Sequence, residues 1–475
     1  MTPTDLAAAG PVLVLAGGAC LIVVGDLFGR LGARALAWLG AIVALAAVAV
    51  AVAGGPGPAG FGGSLARDGA TVFLTAIVGV VTAAALLLGA GYVVRERLPA
   101  GEVTTLLLFS ASGAVLMLSS GDLLVLFLGL ELLSLPLYVL TGLHHARTHG
   151  DEGALKYFLL GAAISAVLLY GIALLYAATG TIAYEGLGRA TRNPLYLAGL
   201  ALVLAGLAFK AALVPFHAWA PDAYESAPTP VTAQMAVVAK VAAFGALLRL
   251  VAATRSGEAG LDWEVALATI AALSVVVANL SALGQRRVKR LLAYSSVSHA
   301  GFMAMAAAAT GAVAGPAVAF YLAAYAALTF GAFAVVSLLP NDDPTLDDLA
   351  GLAKRRPLLV VAFGSFLFGL TGFPPTAGFI AKLYVFEVAA RAQLLWLVAI
   401  GVLASVVSAA YYLRVLLACF APRVEDERTA QTAPVEATAP PARLGTAIVV
   451  LAALAAFLIG FVPGPLLEAA QGVRF

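Results

Sequence analysis

Charge is what this 475-residue chain lacks most. Asp, Glu, Lys and Arg together make up 11% of it, against about 25% in a soluble globular domain. With 62% hydrophobic residues and a mean hydropathy of +1.01, that shortage excludes a soluble fold. Cysteine is nearly absent too: Cys20 and Cys419 lie far apart in apolar segments, which excludes a disulfide framework and an iron–sulfur ligand set. No GxGxxG follows a strand and no P-loop occurs, so no nucleotide cofactor is expected in this chain. The net charge of +2 says nothing about nucleic acid, and no basic, aromatic-laced patch points to it, so none is expected as a partner. His144, His145 and His149 share a loop without carboxylates at ligand spacing, so no metal is expected. The first apolar stretch has no basic n-region and another follows at once, which reads as a retained helix, not a signal peptide.

What is present is a succession of apolar runs of spanning length. They predict an all-α integral membrane protein of fourteen helices, over about 9–29, 33–53, 70–93, 103–119, 121–142, 153–179, 194–220, 229–253, 263–284, 290–311, 314–339, 357–391, 393–420 and 443–463. Two connections stand out, the Gly/Pro-rich GGPGPAGFGG at 54–63 and the polar stretch at 425–443. Neither separates a soluble domain, so residues 1–475 form one polytopic bundle. With the N-terminus outside, inner connections carry fifteen Arg and Lys (among them Arg30, Arg147, Lys289, Arg423 and Arg428) and outer ones seven (among them Arg189, Arg192 and Arg249). The bias places both termini on the outer side.

Lysine is the scarce cation, with six against 21 arginines. Four of the six, Lys156, Lys210, Lys240 and Lys382, fall inside spans, whereas Arg414 is the one arginine well inside a helix. Arginine stays protonated in a protein, but a desolvated lysine can release its proton. A membrane interior stocked with Lys and nearly free of Arg therefore suits groups that switch charge. Each lysine also has a plainer reading: Lys156, at the start of its helix, can snorkel to the headgroups, and the other three can belong to structural ion pairs. Pro215 follows Lys210 by five residues, and Pro374-Pro375 precede Lys382. A proline break beside an ionisable group is a transporter pattern, although either break alone is also an ordinary kink. His217, two residues past Pro215, and His299 in YSSVSHAGFM are possible proton relays or satisfied hydrogen-bonding residues. Glu131, alone in the apolar run 123–140, costs about 2.5–3.5 kcal/mol by insertion scales and calls for a partner.

Three stretches, 151–181, 209–249 and 289–303, carry a resemblance across nearly the whole chain. LKYFLLGA and VPFHAWAPDAY…APTPVTA are its most specific parts. They resemble the antiporter-like membrane subunits of bacterial NADH-quinone oxidoreductase, respiratory complex I, and among these the subunit N family. One departure, YES at 224–226, reads as a surface turn. The resemblance implies two inverted five-helix repeats, about 103–253 and 263–420, with broken seventh and twelfth helices. It implies a proton relay of Glu131, Lys210, Lys240 and Lys382, with Lys156, His217 and His299 as possible members, Glu131 pairing with Lys210. It implies no redox centre here, with NADH, FMN, iron–sulfur clusters and quinone in the parent complex. The partners implied are subunit M, the small membrane subunits and the lipid of a bacterial inner membrane. The chain's end at Phe475, without a lateral helix, and a lysine on the twelfth helix favour N over its sister subunits. The rivals are a multisubunit sodium/proton antiporter, a hydrogenase-type membrane arm, and a scaffold whose buried charges only join helices.

Overall fold

The computed structural model describes residues 1–29, 31–143, 150–188, 193–255, 262–309, 311, 313–422 and 443–474. Among these there are helices and isolated bridges but no strand. The first half runs through α1 (Pro3–Phe28), α2 (Ala33–Gly54), α3 (Gly69–Arg95), α4 (Ala100–Leu118), α5 (Leu123–Thr141), α6 (Gly150–Thr179), α7 (Tyr184–Leu187), α8 (Pro194–Ala211), α9 (Trp219–Ser226) and α10 (Thr229–Arg255). The second comprises α11 (Glu264–Leu283), α12 (Val288–Ala308), α13 (Ala314–Ser337), α14 (Leu352–Arg355), α15 (Pro357–Thr371), α16 (Ala377–Arg391), α17 (Leu395–Phe420), α18 (Arg443–Phe461) and α19 (Gly464–Gln471). Thirteen of the described helices are long and apolar enough to cross a bilayer. The chain is a multi-pass membrane protein.

Two of the fourteen expected spans are not continuous helices. The one expected over 194–220 is α8 followed by the short α9, and the one over 357–391 is α15 followed by α16. Pro215 and Pro374-Pro375 fall in the intervening turns, where a proline cannot supply the backbone N–H that a helix needs. α19 lies beyond the last expected helix; its eight residues are too few to register as a span in the sequence. Arg30, His144, His145, Arg147, His149, Arg189, Arg192, Arg423, Arg428 and the 425–442 stretch lie outside the described residues.

α10, α12 and α13 form the centre and are almost wholly buried, whereas α6, α17 and α18 turn most of their surface outward. Leu403, Leu413 and Leu454 are typical of that outward face. Lipid is as apolar as leucine, so helix pairing here depends on close approach at small residues. α4 and α5 cross in this way: a Cβ on Gly113 would lie 2.1 Å from Leu133 N, and one on Gly129 2.6 Å from Met117 N. The N-terminus, the 55–68 connection and the C-terminal helix share one end of the bundle. Asp5 Oδ1 accepts from Phe61 N at 2.6 Å, and Gly472 O comes so near Gly69 that a Cβ there would be 2.3 Å away.

The α4–α5 crossing also positions Glu131 and Ser134, which lie on either side of Leu133. Gly113→Ala should therefore lower the thermal unfolding midpoint of the purified protein, with an overpacking cost of about 1–3 kcal/mol. Gly17→Ala, where a Cβ meets nothing within 4 Å, should leave the midpoint unchanged.

Candidate functional site

α8 ends one residue after Lys210. Ala212 turns left-handed (φ 59°, ψ 42°), and its N–H returns to Phe209 and Ala208 carbonyls. A helix ending inside a membrane leaves backbone groups to satisfy. Trp219 Nε1 donates to Phe209 O at 2.8 Å, and Val214 N donates to Ser274 Oγ at 3.0 Å. An ammonium in the last turn also meets the negative end of the helix dipole. Lys210, 2% exposed, donates to Ser134 Oγ at 2.8 Å and Tyr157 OH at 3.4 Å.

Glu131 does not contact Lys210 directly, which corrects the expected pairing. No ion pair within 4.0 Å joins them, and Glu131 Oε1 is buried without a hydrogen-bond partner among the described residues. Ser134, one helical turn beyond Glu131, accepts from the ammonium and itself donates to Leu130 O at 2.5 Å. Glu131 acts on Lys210 only through space. A direct pair at about 4 Å would be worth roughly 4 kcal/mol at an effective dielectric near 20. Separation makes this hold weaker than that of a direct pair.

From Lys210 a ladder of rings leads to Lys240. Tyr157 stacks on Trp219 at 4.5 Å and 12°, and Trp219 meets Tyr224 edge-on at 6.1 Å. Lys240 Nζ lies 6.0 Å from the Tyr224 ring centre. Lys240 is 1% exposed, and among the described residues its Nζ has neither a hydrogen bond nor an ion pair. The apolar and small neighbours that make α10 pack so closely supply nothing else.

α12 continues the file with serines and a histidine at helical spacing. Tyr224 OH is 3.4 Å from Ser296 Oγ, which is 2.7 Å from Tyr325 OH. One turn on, His299 Nδ1 is 2.7 Å from Tyr321 OH and its Nε2 is 3.5 Å from Tyr412 OH, which also bonds Ser295. Tyr321 and Tyr325 are four residues apart on α13, so the two facing helices match hydroxyl to hydroxyl and hydroxyl to imidazole. Lys240 and Lys382 both lie within electrostatic reach of buried His299. Lys382 Nζ donates to Thr371 O at 2.8 Å, the frayed end of α15, and to Ser405 Oγ at 3.2 Å; it sits 4.7 Å from the Phe302 ring centre. Glu131, Lys210, Lys240, His299 and Lys382 thus share one polar line through the buried core.

The other two expected members lie off that line. His217 is half-buried on the flank of the α8–α9 break, edge-on to Tyr294, with Nδ1 unpartnered among the described residues. Lys156 is about half exposed and pairs with Glu152 at 2.7 Å and Asp222 at 3.6 Å. Together with Glu225, Arg287 and Arg290 they line a vestibule of about 310 Å³. Arg290 binds Asp222 at 2.5 Å and Glu225 at 2.7 Å. Burial raises the nearby Asp343 carboxyl above its ordinary range despite Lys289 and Arg287 beside it. The YES stretch is therefore no surface turn: Tyr224 and Ser226 are buried, and Glu225 anchors two arginines. Among the described residues no three His, Cys, Asp or Glu side chains converge on a metal-sized point.

Two cations that by position near helix ends count towards the charge bias of the connections, Lys289 and Arg249, are buried. Lys289 is wholly buried; it pairs with Asp342 at 3.3 Å and donates to Ala227 O at 2.7 Å. Asp342 also takes the Thr229 hydroxyl at the start of α10. Arg249 is 9% exposed and grips Asp68 at 2.7 Å and Leu118 O at 3.0 Å. Burial opposes the Asp68 charge, but Arg249 and Thr71 outweigh it and hold this carboxyl below its ordinary value. α10, the helix of Lys240, is thus held by an ion pair near each end, fully buried at Lys289–Asp342 and partly buried at Arg249–Asp68.

Residues 120–408, which include Glu131, Lys210, Lys240, His299 and Lys382, match the family described as NADH:quinone oxidoreductase/Mrp antiporter, TM. The chain is 41% identical to NADH-quinone oxidoreductase subunit N of Salinibacter ruber, over 99% of this chain and 96% of that protein. It is similar to a chain of respiratory complex I from Thermus thermophilus, with a TM-score of 0.82 at 37% identity, covering 98% of this chain and 100% of that one. A chain of the Mrp complex from Dietzia gives a TM-score of 0.85 at 22% identity, covering 100% and 97%, a likeness of fold.

The contrast between Lys289 and Lys240 is testable. Removing one partner of a buried pair costs about 3–5 kcal/mol. Lys289→Ala should therefore lower thermal stability strongly, and Lys289→Met with Asp342→Leu should recover much of the loss. Lys240→Ala, which breaks no pair, should leave the unfolding midpoint unchanged or raised. Equal losses at the two sites would show that Lys240 has a structural partner.

Proposed function

Because the chain belongs to the subunit N family of antiporter-like NADH-quinone oxidoreductase membrane subunits, we propose that it translocates protons, coupling electron transfer from NADH to quinone to proton pumping. The observation that carries this reading is the buried line of three lysines and a histidine, joined by hydroxyls and rings, in a chain 41% identical to subunit N over nearly its full length. A proton enters by the vestibule of Lys156, Asp222, Glu225 and Arg290. Lys210 holds it on Ser134 and Tyr157, with Glu131 modulating that hold through space. Lys240 has no partner that would trap the charge, and His299 passes it through its two ring nitrogens towards Lys382. Thr371 O and Ser405 hold Lys382 until release on the opposite side. In this reading His217 positions the α8–α9 break.

NADH, FMN, iron–sulfur clusters and quinone belong to the rest of the complex. The partners are the neighbouring membrane-arm subunits, among them subunit M and the small membrane subunits. The chain lies in a bacterial inner membrane with both termini outward, an orientation supported by the basic residues of the inner connections. The helices α4–α10 and α11–α17 act as two inverted repeats. What supports this is that each half breaks one helix and seats a lysine at the break, Lys210 in the last turn of α8 and Lys382 on the last carbonyl of α15.

Lys210→Ala should leave an assembled complex whose proton pumping, followed by dye quenching in reconstituted vesicles, falls by about 10²-fold, the scale of a lost acid–base group. Ser134→Ala keeps the lysine but removes its nearest acceptor, and should give a smaller loss. Normal pumping by the Lys210 variant would sink the proposal.

A further inference from the structure

One large cavity is lined by none of the residues of the polar line. Between α15 and α18, below the 338–356 connection, is a groove of about 1410 Å³. Its walls are apolar: Leu358, Val361, Val450, Ala453, Leu454 and Phe457 line it. Lining residues extend from Pro357 to Ser365 on α15 and from Thr446 to Phe457 on α18, which at 1.5 Å per residue is roughly 12–17 Å. Leu358, Val361 and Leu454 are 82%, 69% and 60% exposed, so the groove opens sideways to the bilayer.

Charge occurs at one end only. Arg355 and Arg356 line the mouth, and Lys354 precedes them. Arg355 donates one N–H to Ala350 O at 3.1 Å, and Arg356 one to Leu338 O at 2.8 Å. A guanidinium has five donors, so most remain for an incoming group. Asp347 and Asp348 also line the mouth, but each is engaged already: Asp347 by Arg286 at 3.0 Å, Asp348 by Thr345 N at 2.8 Å and Asn341 at 3.2 Å. Just inside, Thr446 Oγ1 is buried and unpartnered among the described residues.

We propose that this groove binds an anionic glycerophospholipid, with its phosphate on Arg355 and Arg356 and its acyl chains along α15 and α18. The gradient from cations through one hydroxyl to an uncharged trough matches phosphate, ester and hydrocarbon in that order. Guanidinium forks suit phosphate oxygens, and basic pockets between spanning helices favour anionic headgroups. A helix from a neighbouring subunit would fill the trough but has no need of the cations.

The test uses the purified complex containing the full chain, exchanged into phosphatidylcholine nanodiscs with graded phosphatidylglycerol, and counts retained lipid by native mass spectrometry. The wild type should retain phosphatidylglycerol over phosphatidylcholine. Arg355→Gln with Arg356→Gln should weaken that retention by about 30-fold, two charges at about 1 kcal/mol each and 1.4 kcal/mol per factor of ten. Ala453→Trp, which fills the trough and leaves the charges, should abolish it. Unchanged phosphatidylglycerol retention in either variant would overturn the proposal. So would equal retention of the two lipids, or a photo-crosslinker at Leu454 that captures a protein helix in place of lipid.

Discussion

An ammonium group withdrawn from water and denied a counter-charge is among the costliest things a fold can contain, and α8, α10 and α16 each carry one. Their surroundings answer that cost in different ways. Lys210 has a serine, a tyrosine and the end of a broken helix; Lys382 has a freed carbonyl, a serine and a phenyl face. Lys240 has little beyond the ring of Tyr224. Lys289, wholly buried at the start of α12, has a carboxylate and shows what a structural lysine in this protein looks like. The three lysines on the line are held by neutral groups, which solvate an ammonium without fixing it charged.

The helix breaks follow from the same constraint. Proline removes a donor and frees carbonyls, which in lipid must find partners. Here Trp219 and Lys382 are among those partners, so breaking a helix and seating a charge solve one another's problem. The small residues of α10, α12 and α13 then bring Tyr224, Ser296, His299 and the α13 tyrosines within bonding distance, which bulkier helices could not do. The ion pairs Lys289–Asp342 and Arg249–Asp68 clamp α10 near each end and keep Lys240 in register with His299.

Much of this was legible in the sequence. Composition and run length show the bundle, and the scarcity of lysine outside the spans picks out Lys210, Lys240 and Lys382. The hydroxyls were not legible, because Ser134, Ser296 and Tyr321 become partners only through helix rotation and contact, which run length does not encode. The density of Ser295, Ser296, Ser298 and His299 in one span was the available signal. Lys289 and Arg249 were misplaced because a charge near a helix end reads as a loop charge whether or not an acid from a distant connection covers it. Glu131 illustrates the same limit: its depth could be read, its distance from Lys210 could not.

The central claim is that the buried lysines work by changing charge, not by carrying it. Replacing Lys240 with Arg tests this most directly, since arginine keeps the cation but does not release its proton. The measurement is protons pumped per NADH oxidised in vesicles reconstituted with the complex. The account predicts that Lys240→Arg is as defective as Lys240→Gln, with both complexes assembled. Near-normal pumping by Lys240→Arg would mean that a fixed charge suffices there, and would contradict it.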